Sequence, residues 1–289
     1  RSSDLQGQGE PPPTLTTKMG RVTTLLVLVC LLAACASPAP EPGASDSSVP
    51  AETTLGPATT AGTTTVATTV PSETAPTVGP EGYREITIDL GRGIERQGRI
   101  YGTGDVGVVL AHMGRPGDSQ RDWAEFAREL ADRGYRVLTF DHDNQFVWRV
   151  VLAGADLLRA EGVENVIAAG ASIGAMGALR AAEEPGNGLI GVVWLAGVKA
   201  GSGYAFMEAD VGAVACPVFF ASGTGDEYGA AEDAEDLAAI APNAELLLVE
   251  SDLHGTDILA EGGPVADELR EAMFGFIDRV AAEPGEPCG

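Results

Sequence analysis

The chain has 289 residues, 44% of them hydrophobic, a length that suits one α/β domain carrying a tail better than one average domain alone. Its formal net charge of −24 argues against nucleic acid as a partner, because phosphates demand a basic surface. Residues 81–289 hold 36 of the 42 acidic and 15 of the 18 basic side chains, leaving that part at −21; it reads as a solvated acidic surface that disfavours anionic substrates at long range.

The chain starts at Arg1, and residues 1–18 match neither a leader nor a domain; they are expected to be an upstream translation artefact or unstructured. From Lys18-Met19-Gly20-Arg21 a basic start leads into the apolar run Leu25–Ala34, too short to span a bilayer permanently. Residues 19–35 therefore read as an export signal. The run ends in Leu32-Ala33-Ala34-Cys35, which resembles the lipobox of bacterial lipoproteins. That resemblance implies a lipidated Cys35, a new N-terminus anchored to the outer face of the membrane. The alternative is cleavage at the A-x-A-like Ala34-Cys35-Ala36, which would leave a secreted protein. Residues 36–80 are Thr, Pro, Ala, Ser and Gly with almost no large apolar side chains. They lack the surface to fold and read as an extended disordered stalk, either O-glycosylated on threonine or unmodified.

The folded domain is placed at residues 81–289. Glu85–Leu90 alternates as a strand should, followed by strands at Arg99–Gly102 and Val106–Ala111, the last unbroken and so buried on both faces. Asp118 or Ser119 can cap a helix whose apolar positions are Trp123, Phe126, Ala127 and Leu130, with Gly134 stopping it. Arg136–Asp141 is the next strand and Val147–Ala160 the next helix. This alternation predicts a parallel sheet with right-handed crossovers.

At Asn165–Ala182 an apolar strand breaks at a serine and becomes a small-residue helix. A turn this sharp forces its central residue into a strained conformation, and the positions two before and two after it must be very small. Gly170 and Gly174 satisfy that around Ser172. The turn lifts the Ser172 hydroxyl above the sheet edge, and the helix aims its free N–H groups and positive dipole end at it. Strands follow at Leu189–Ala196, Val218–Ser222 and Glu245–Glu250, with an acidic helix near Ala231–Ile240 and a last helix over about Val265–Val280.

The motif Gly170-Ala-Ser172-Ile-Gly174, with Asp226 in Gly223-Thr-Gly-Asp226 and His254 in Asp252-Leu-His254-Gly, resembles the nucleophile elbow and chain order of the α/β-hydrolase family over about residues 84–280. The resemblance implies a mostly parallel central sheet of about eight strands flanked by helices. It implies Ser172 as nucleophile, His254 as general base and Asp226 as the orienting acid, with Glu227 one position out of register. It also implies an oxyanion hole formed by the Ile173 N–H and one from His112-Met113-Gly114, either Gly114 or Met113; Met113 stands where the family usually has glycine. His142 lies in a loop that edges the pocket in the family. The nearest members are dienelactone-hydrolase-like; that namesake activity uses a cysteine nucleophile, where this chain has Ser172.

Only Gly197–Cys216 separates two core strands where related enzymes insert a lid, so no large cap is expected. Tyr204, Phe206 and Met207 are expected to wall an open, shallow pocket. Small acyl esters are the implied substrate, with no cofactor; three histidines without ligand spacing give no metal site. The alternatives are a peptidase or acyltransferase on the same triad, or a non-catalytic anchored binding module.

Export and lipidation would leave Cys216 and Cys288 as the unmodified cysteines. Cys216 begins a strand at the edge away from Ser172, and the tail Ala281–Cys288 reaches roughly 25 Å at about 3.3 Å per residue. Either the two are bridged, or Cys216 is a small buried residue and Cys288 a free thiol.

Overall fold

The computed structural model describes Gly79 and residues 81–289. Residues 1–18, the export signal with Cys35, and the Thr/Pro-rich stretch other than Gly79 lie outside the described residues.

One eight-stranded sheet organises the domain: β1 (Tyr83–Asp89), β2 (Glu95–Tyr101), β3 (Val106–Ala111), β4 (Arg136–Phe140), β5 (Asn165–Ala171), β6 (Leu189–Leu195), β9 (Val218–Gly223) and β10 (Ala244–Val249). Their spatial order is β1-β2-β4-β3-β5-β6-β9-β10. β1 and β2 run antiparallel to each other, and β2 is antiparallel to β4; the strands from β4 onward pair parallel. β2 starts at Glu95, four residues before the apolar signal, because an antiparallel hairpin with a wet face needs only alternate apolar residues.

Helices cover both faces. α2 (Val147–Ala160), α3 (Ile173–Ala182) and α5 (Ala230–Ala238) share one core with Val109, Ala168, Trp194 and Phe220. α1 (Ala124–Asp132), α6 (Thr256–Glu261) and α7 (Gly263–Ala282) share the other with Val108, Ile167, Val193 and Phe219. Successive strand residues thus enter opposite cores, which explains the unbroken apolar runs of β3, β5 and β6. Ser119 caps a short 3-10 turn at Gln120–Trp123 that leads into α1.

Between β6 and β9 lies no cap domain, only a two-stranded hairpin, β7 (Ala200–Gly201) with β8 (Tyr204–Ala205), and one helical turn, α4 (Glu208–Val211). α6 is an element the apolar periodicity does not single out. It is separated from α7 by Gly262; Gly262 and Gly263 both stand at positive φ, and α7 starts at Gly263, two residues ahead of its apolar signal.

The N-terminal edge of the sheet is tied to the chain end. Cys216 and Cys288 are both fully buried and disulfide-bonded, with Cα atoms 4.3 Å apart and a separation of 72 positions in sequence. The tail also joins the backbone: Cys288 N–H donates to Leu189 O (2.8 Å), and Ala215 N–H donates to Cys288 O (3.0 Å). In the chain-entropy account a loop of this length stabilises by about 4 kcal/mol. Cys288→Ser should therefore lower the midpoint of thermal unfolding by several degrees, and reductant should lower the wild type alone; equal melting of the two proteins without reductant would contradict the tie.

Candidate active site

Strand order reverses at β3, which has β4 on one side and β5 on the other. In open α/β sheets the crevice beyond the carboxyl ends at such a reversal is where ligands bind. The loop after β3 carries His112, Met113 and Gly114, and the turn after β5 carries Ser172.

Ser172 sits at φ 53°, ψ −123°, a left-handed region that costs a non-glycine residue on the order of 1–3 kcal/mol. The strain is held by contact. A Cβ on Gly170 would lie 2.2 Å from the Gly174 carbonyl, and one on Gly174 would lie 2.3 Å from the Ala111 oxygen of β3. The Ser172 N–H donates to Leu195 O of β6 at 2.9 Å.

β9 and β10 deliver the other two groups. Their following loops are stitched by Thr224 N–H to Val249 O and Gly225 N–H to Ser251 O, both 2.9 Å. Asp226 and His254 are buried, and His254 Nδ1 lies 2.7 Å from Asp226 Oδ2. Asp226 Oδ1 accepts the Tyr228 N–H at 2.9 Å, so both carboxylate oxygens are engaged. The Tyr228 ring leans on the imidazole, centroids 4.4 Å apart. With Nδ1–H donated to the carboxylate, Nε2 is left as the acceptor.

Ser172, Ile173, Gly114 and His254 line one cavity of about 220 Å³, with Arg115, Asn144, Met176, Val198, Ser202 and Tyr228. Among the described residues Ser172 Oγ forms no hydrogen bond with His254; such links are often loose in unliganded sites and tighten on binding. Arg115 spans the rim. Its guanidinium is bidentate to Asp257 (2.7 and 3.0 Å) and also bonded to Asp118, which strengthens its hold on its proton and neutralises it locally. Among the described residues no three His, Cys, Asp or Glu side chains converge as a metal cradle.

The two N–H candidates after β3, Gly114 and Met113, lie in different surroundings. Met113 is fully buried, its sulfur behind Gly255, where a Cβ would come within 2.5 Å of it. Its bulk thus packs against the residue that follows His254. Gly114 faces the cavity. His112 Nδ1–H donates to the Met113 carbonyl, and in a trans peptide the C=O and the following N–H point opposite ways. Fixing that carbonyl turns the Gly114 N–H away from His112. Asn144 Nδ2 clamps the Gly114 carbonyl at 2.7 Å, so the residue is held on both sides.

His142 is corrected from a pocket wall to a support. It stacks on His112, ring centroids 3.8 Å and planes within 2°. Its backbone N–H donates to His112 Nε2 (3.2 Å), its Nε2–H donates to His112 O (3.0 Å), and its Nδ1 accepts the Asn144 N–H (3.2 Å). Every ring nitrogen of the pair is thereby assigned in the neutral form. Phe206 is also not a wall: it is buried edge-on against Trp194. Met207 is exposed and does not line this cavity. Tyr204 lines an adjoining groove instead. The walls that sequence reasoning missed are Asn144, Ser202, Val198, Met176, Tyr228 and Arg115. Asn144 and Ser202 both stand at positive φ, 63° and 49°, and an Asn in Asp141-His-Asp-Asn144 and a Ser before Gly203 are the only sequence hints of it.

Burial pushes the His142 imidazole down to about 4, with the His112 ring adding to the effect, and desolvation lowers His112 as well. Asp143 beside His142, and Asp141, Asp122 and Asp118 beside His112, oppose the shift without cancelling it. An unfolded histidine titrates near 6.5, so between that pH and about 4 the unfolded chain binds more protons than the folded one. The stabilising contribution of the neutral pair is complete above pH 6.5 and is lost as pH falls toward 4. NMR titration should place the His142 midpoint near 4, and His142→Gln should flatten the decline of melting temperature across that window; a midpoint near 6.5 would contradict the locked neutral pair.

No protein-family model matches the chain, and no curated protein matches it. Solved structures do. An esterase from Pyrococcus furiosus superposes with a TM-score of 0.55 at 17% identity, over 68% of this chain and 90% of that one. A thermophilic esterase from Thermogutta terrifontis gives 0.57 at 14% identity, over 68% of this chain and 99% of that one. A dienelactone hydrolase from Anabaena variabilis gives 0.54 at 18% identity, over 66% and 95%. At these identities the likeness is one of fold, and that fold, an eight-stranded mostly parallel sheet between two layers of helices with no large cap, is the α/β-hydrolase fold.

Proposed function

We propose that the chain is an exported serine hydrolase that cleaves carboxylic esters, with Ser172 as nucleophile, His254 as general base and Asp226 as the acid that orients it. One observation carries the reading. A hydroxyl held at positive φ on a strand-to-helix elbow and an imidazole fixed by a buried carboxylate converge on one cavity. The esterases and the dienelactone hydrolase that share the fold support an ester as substrate.

In this mechanism His254 Nε2 takes the Ser172 proton as Oγ attacks the ester carbonyl carbon. The oxygen that becomes negative receives the N–H groups of Ile173 and Gly114. The tetrahedral intermediate then collapses, and His254 returns the proton to the departing alcohol. Water, deprotonated by the same imidazole, attacks the acyl-serine, and as that intermediate collapses the imidazolium returns the proton to Ser172 Oγ and the acid is released. Asp226 keeps Nδ1 protonated and stabilises the imidazolium formed in each half. Ile173 supplies its N–H from the first turn of α3, where no intrahelical acceptor exists for it.

The same reading makes Cys35 the lipidated N-terminus, residues 36–80 a spacer, and residues 81–289 the catalytic unit outside the membrane. The signal-type run at Leu25–Ala34 and the Leu32–Cys35 sequence support it.

Ser172→Ala should lower kcat on a short-chain ester by at least about 10³-fold while circular dichroism and melting temperature stay within a few degrees. A fluorophosphonate probe should label the wild type at Ser172 and not the variant. Retained turnover in the variant would sink the nucleophile assignment, and complete inertness of the wild type would favour a binding module. Metabolic labelling with a radioactive fatty acid should mark the wild-type chain and be abolished by Cys35→Ala; labelling that survives the substitution would remove the anchor.

A further inference from the structure

The cavity at Ser172 is small. Its volume of about 220 Å³ falls below the roughly 300–1,000 Å³ of ligand pockets in general. A second groove, of about 460 Å³, continues from it through two shared residues, Asn144 and Ser202. Its remaining walls are Gln145, Phe146, Trp148, Arg180, Gly203 and Tyr204, with Ala205. Three of the chain's aromatic side chains thus converge on one depression that shares Asn144 and Ser202 with the cavity at the nucleophile.

Two features of this groove act against stability. Phe146 is 58% exposed, so its ring gains little from burial. It also stands at φ 52°, a genuine outlier for a bulky residue. Asn144 on the same loop and Ser202 on the facing hairpin turn are likewise at positive φ. The strained backbone positions therefore lie on the two lips of the groove, where they bring the β7–β8 turn and the loop after β4 to face each other. Strain and exposure gathered at the mouth of a cavity are what a binding site tolerates and a core does not.

The charges select against an ionic ligand. Arg180 is the groove's cation, and it is already held by Glu183 at 3.1 Å and Glu184 at 2.6 Å. Its guanidinium carbon lies 5.6 Å from the Trp148 ring, and that of Arg149 lies 4.9 Å from the Phe146 ring and 5.0 Å from the Trp148 ring. These cations steady the aromatic side chains. With its lining cation already bonded to Glu183 and Glu184, the groove offers an anion no uncommitted guanidinium. Flat aromatic walls favour a flat, neutral partner, since ring pairs gain from stacked or edge-on contact beyond the area they bury.

We propose that this groove is the substrate's second binding site and that it takes a neutral aryl group of the ester whose carbonyl is held at Ser172. The proposal rests on the reading of Ser172 as nucleophile only for its kinetic consequence; the groove binds its ligand whether or not turnover occurs. Phe146 and Trp148 are specificity-determining residues that contact the aryl ring, and Asn144 and Ser202 mark the passage from ring to carbonyl.

Trp148 supplies the signal for a test. It is the half-buried tryptophan, while Trp123 and Trp194 are fully enclosed in the two cores. The uncleavable neutral probes are 3-phenylpropanamide and hexanamide, titrated into the full-length protein while tryptophan emission is followed. The aryl amide should change the emission saturably, at least tenfold more tightly than the alkyl amide, and Trp148→Phe should abolish the signal. Phe146→Gly, which removes the ring and adds no strain because glycine adopts that φ freely, should weaken binding at least fivefold. On the kinetic side, wild type should prefer an aryl over an alkyl group of similar size by at least tenfold in kcat/KM, either in the pair methyl 3-phenylpropanoate and methyl hexanoate or in the pair 2-phenylethyl acetate and hexyl acetate. The pair that shows it assigns the groove to the acid or the alcohol side, and Phe146→Gly should erase the preference. No emission change, or equal response to both amides, overturns the proposal even if Ser172→Ala is inactive. Loss of Ser172 dependence with the emission change intact would instead overturn the hydrolase reading alone.

Discussion

The site depends on one crossing, where β3, β5 and the first turn of α3 approach so closely that two glycines are required. Ala111 pairs with Gly170 across the sheet, and the Gly174 Cα lies against the Ala111 oxygen. That proximity sets the angle at which α3 leaves the sheet, and through it the direction of the Ser172 side chain and of the Ile173 N–H. It also fixes where β3 ends, because Trp123 Nε1–H donates to the same Ala111 oxygen at 2.9 Å. From there the chain enters His112–Gly114, so both walls of the candidate oxyanion hole are referred to a single backbone carbonyl.

The electrostatics of the site are unusual for so acidic a domain. All three histidines of the chain lie here, yet they are treated in two ways. His254 faces a buried carboxylate through Nδ1, which fixes the orientation of its ring. His112 and His142 stack on each other with every nitrogen engaged, which favours rings that stay neutral. The first arrangement leaves one ring nitrogen uncommitted, and the second holds a loop still. Arg115 and Arg180, the cations nearest the cavity and the groove, are each bound to two carboxylates. The crevice is therefore screened from the negative surface by paired charges, which suits a neutral ligand.

Most of the framework was legible because it follows from period and residue size. Apolar runs placed β3, β5, β6, β9 and the helix Val147–Ala160, and the spacing of Gly170 and Gly174 around Ser172 placed the elbow. The positions of Asp226 and His254 in the loops after β9 and β10 were legible from the strands before them, and their pairing came from the family resemblance rather than from any local pattern. The walls of the cavity were not. Tyr204, Phe206 and Met207 are consecutive enough to be taken as one patch, but alternation along the hairpin and the turn into α4 sends them to a groove, a core and the solvent respectively. His142 was displaced by a contact between rings 30 residues apart in sequence, which no local pattern encodes. Asn144 and Ser202 owe their positions to backbone conformations that the residue type permits without specifying.

The Cys216–Cys288 bond and the two backbone hydrogen bonds around it have a consequence for the order of assembly. The tail residues that accompany Cys288 complete the pairing at the starts of β6 and β9, two strands in the middle and second half of the sheet. Those strands are synthesised well before their last partner exists. The sheet can form from β1 to β10 as the chain emerges, but its lower edge stays open until residue 288 arrives and a thiol oxidant is present. Covalent closure therefore waits on residue 288 and on a thiol oxidant, whereas the backbone hydrogen bonds of Cys288 to Leu189 and Ala215 need only the chain itself.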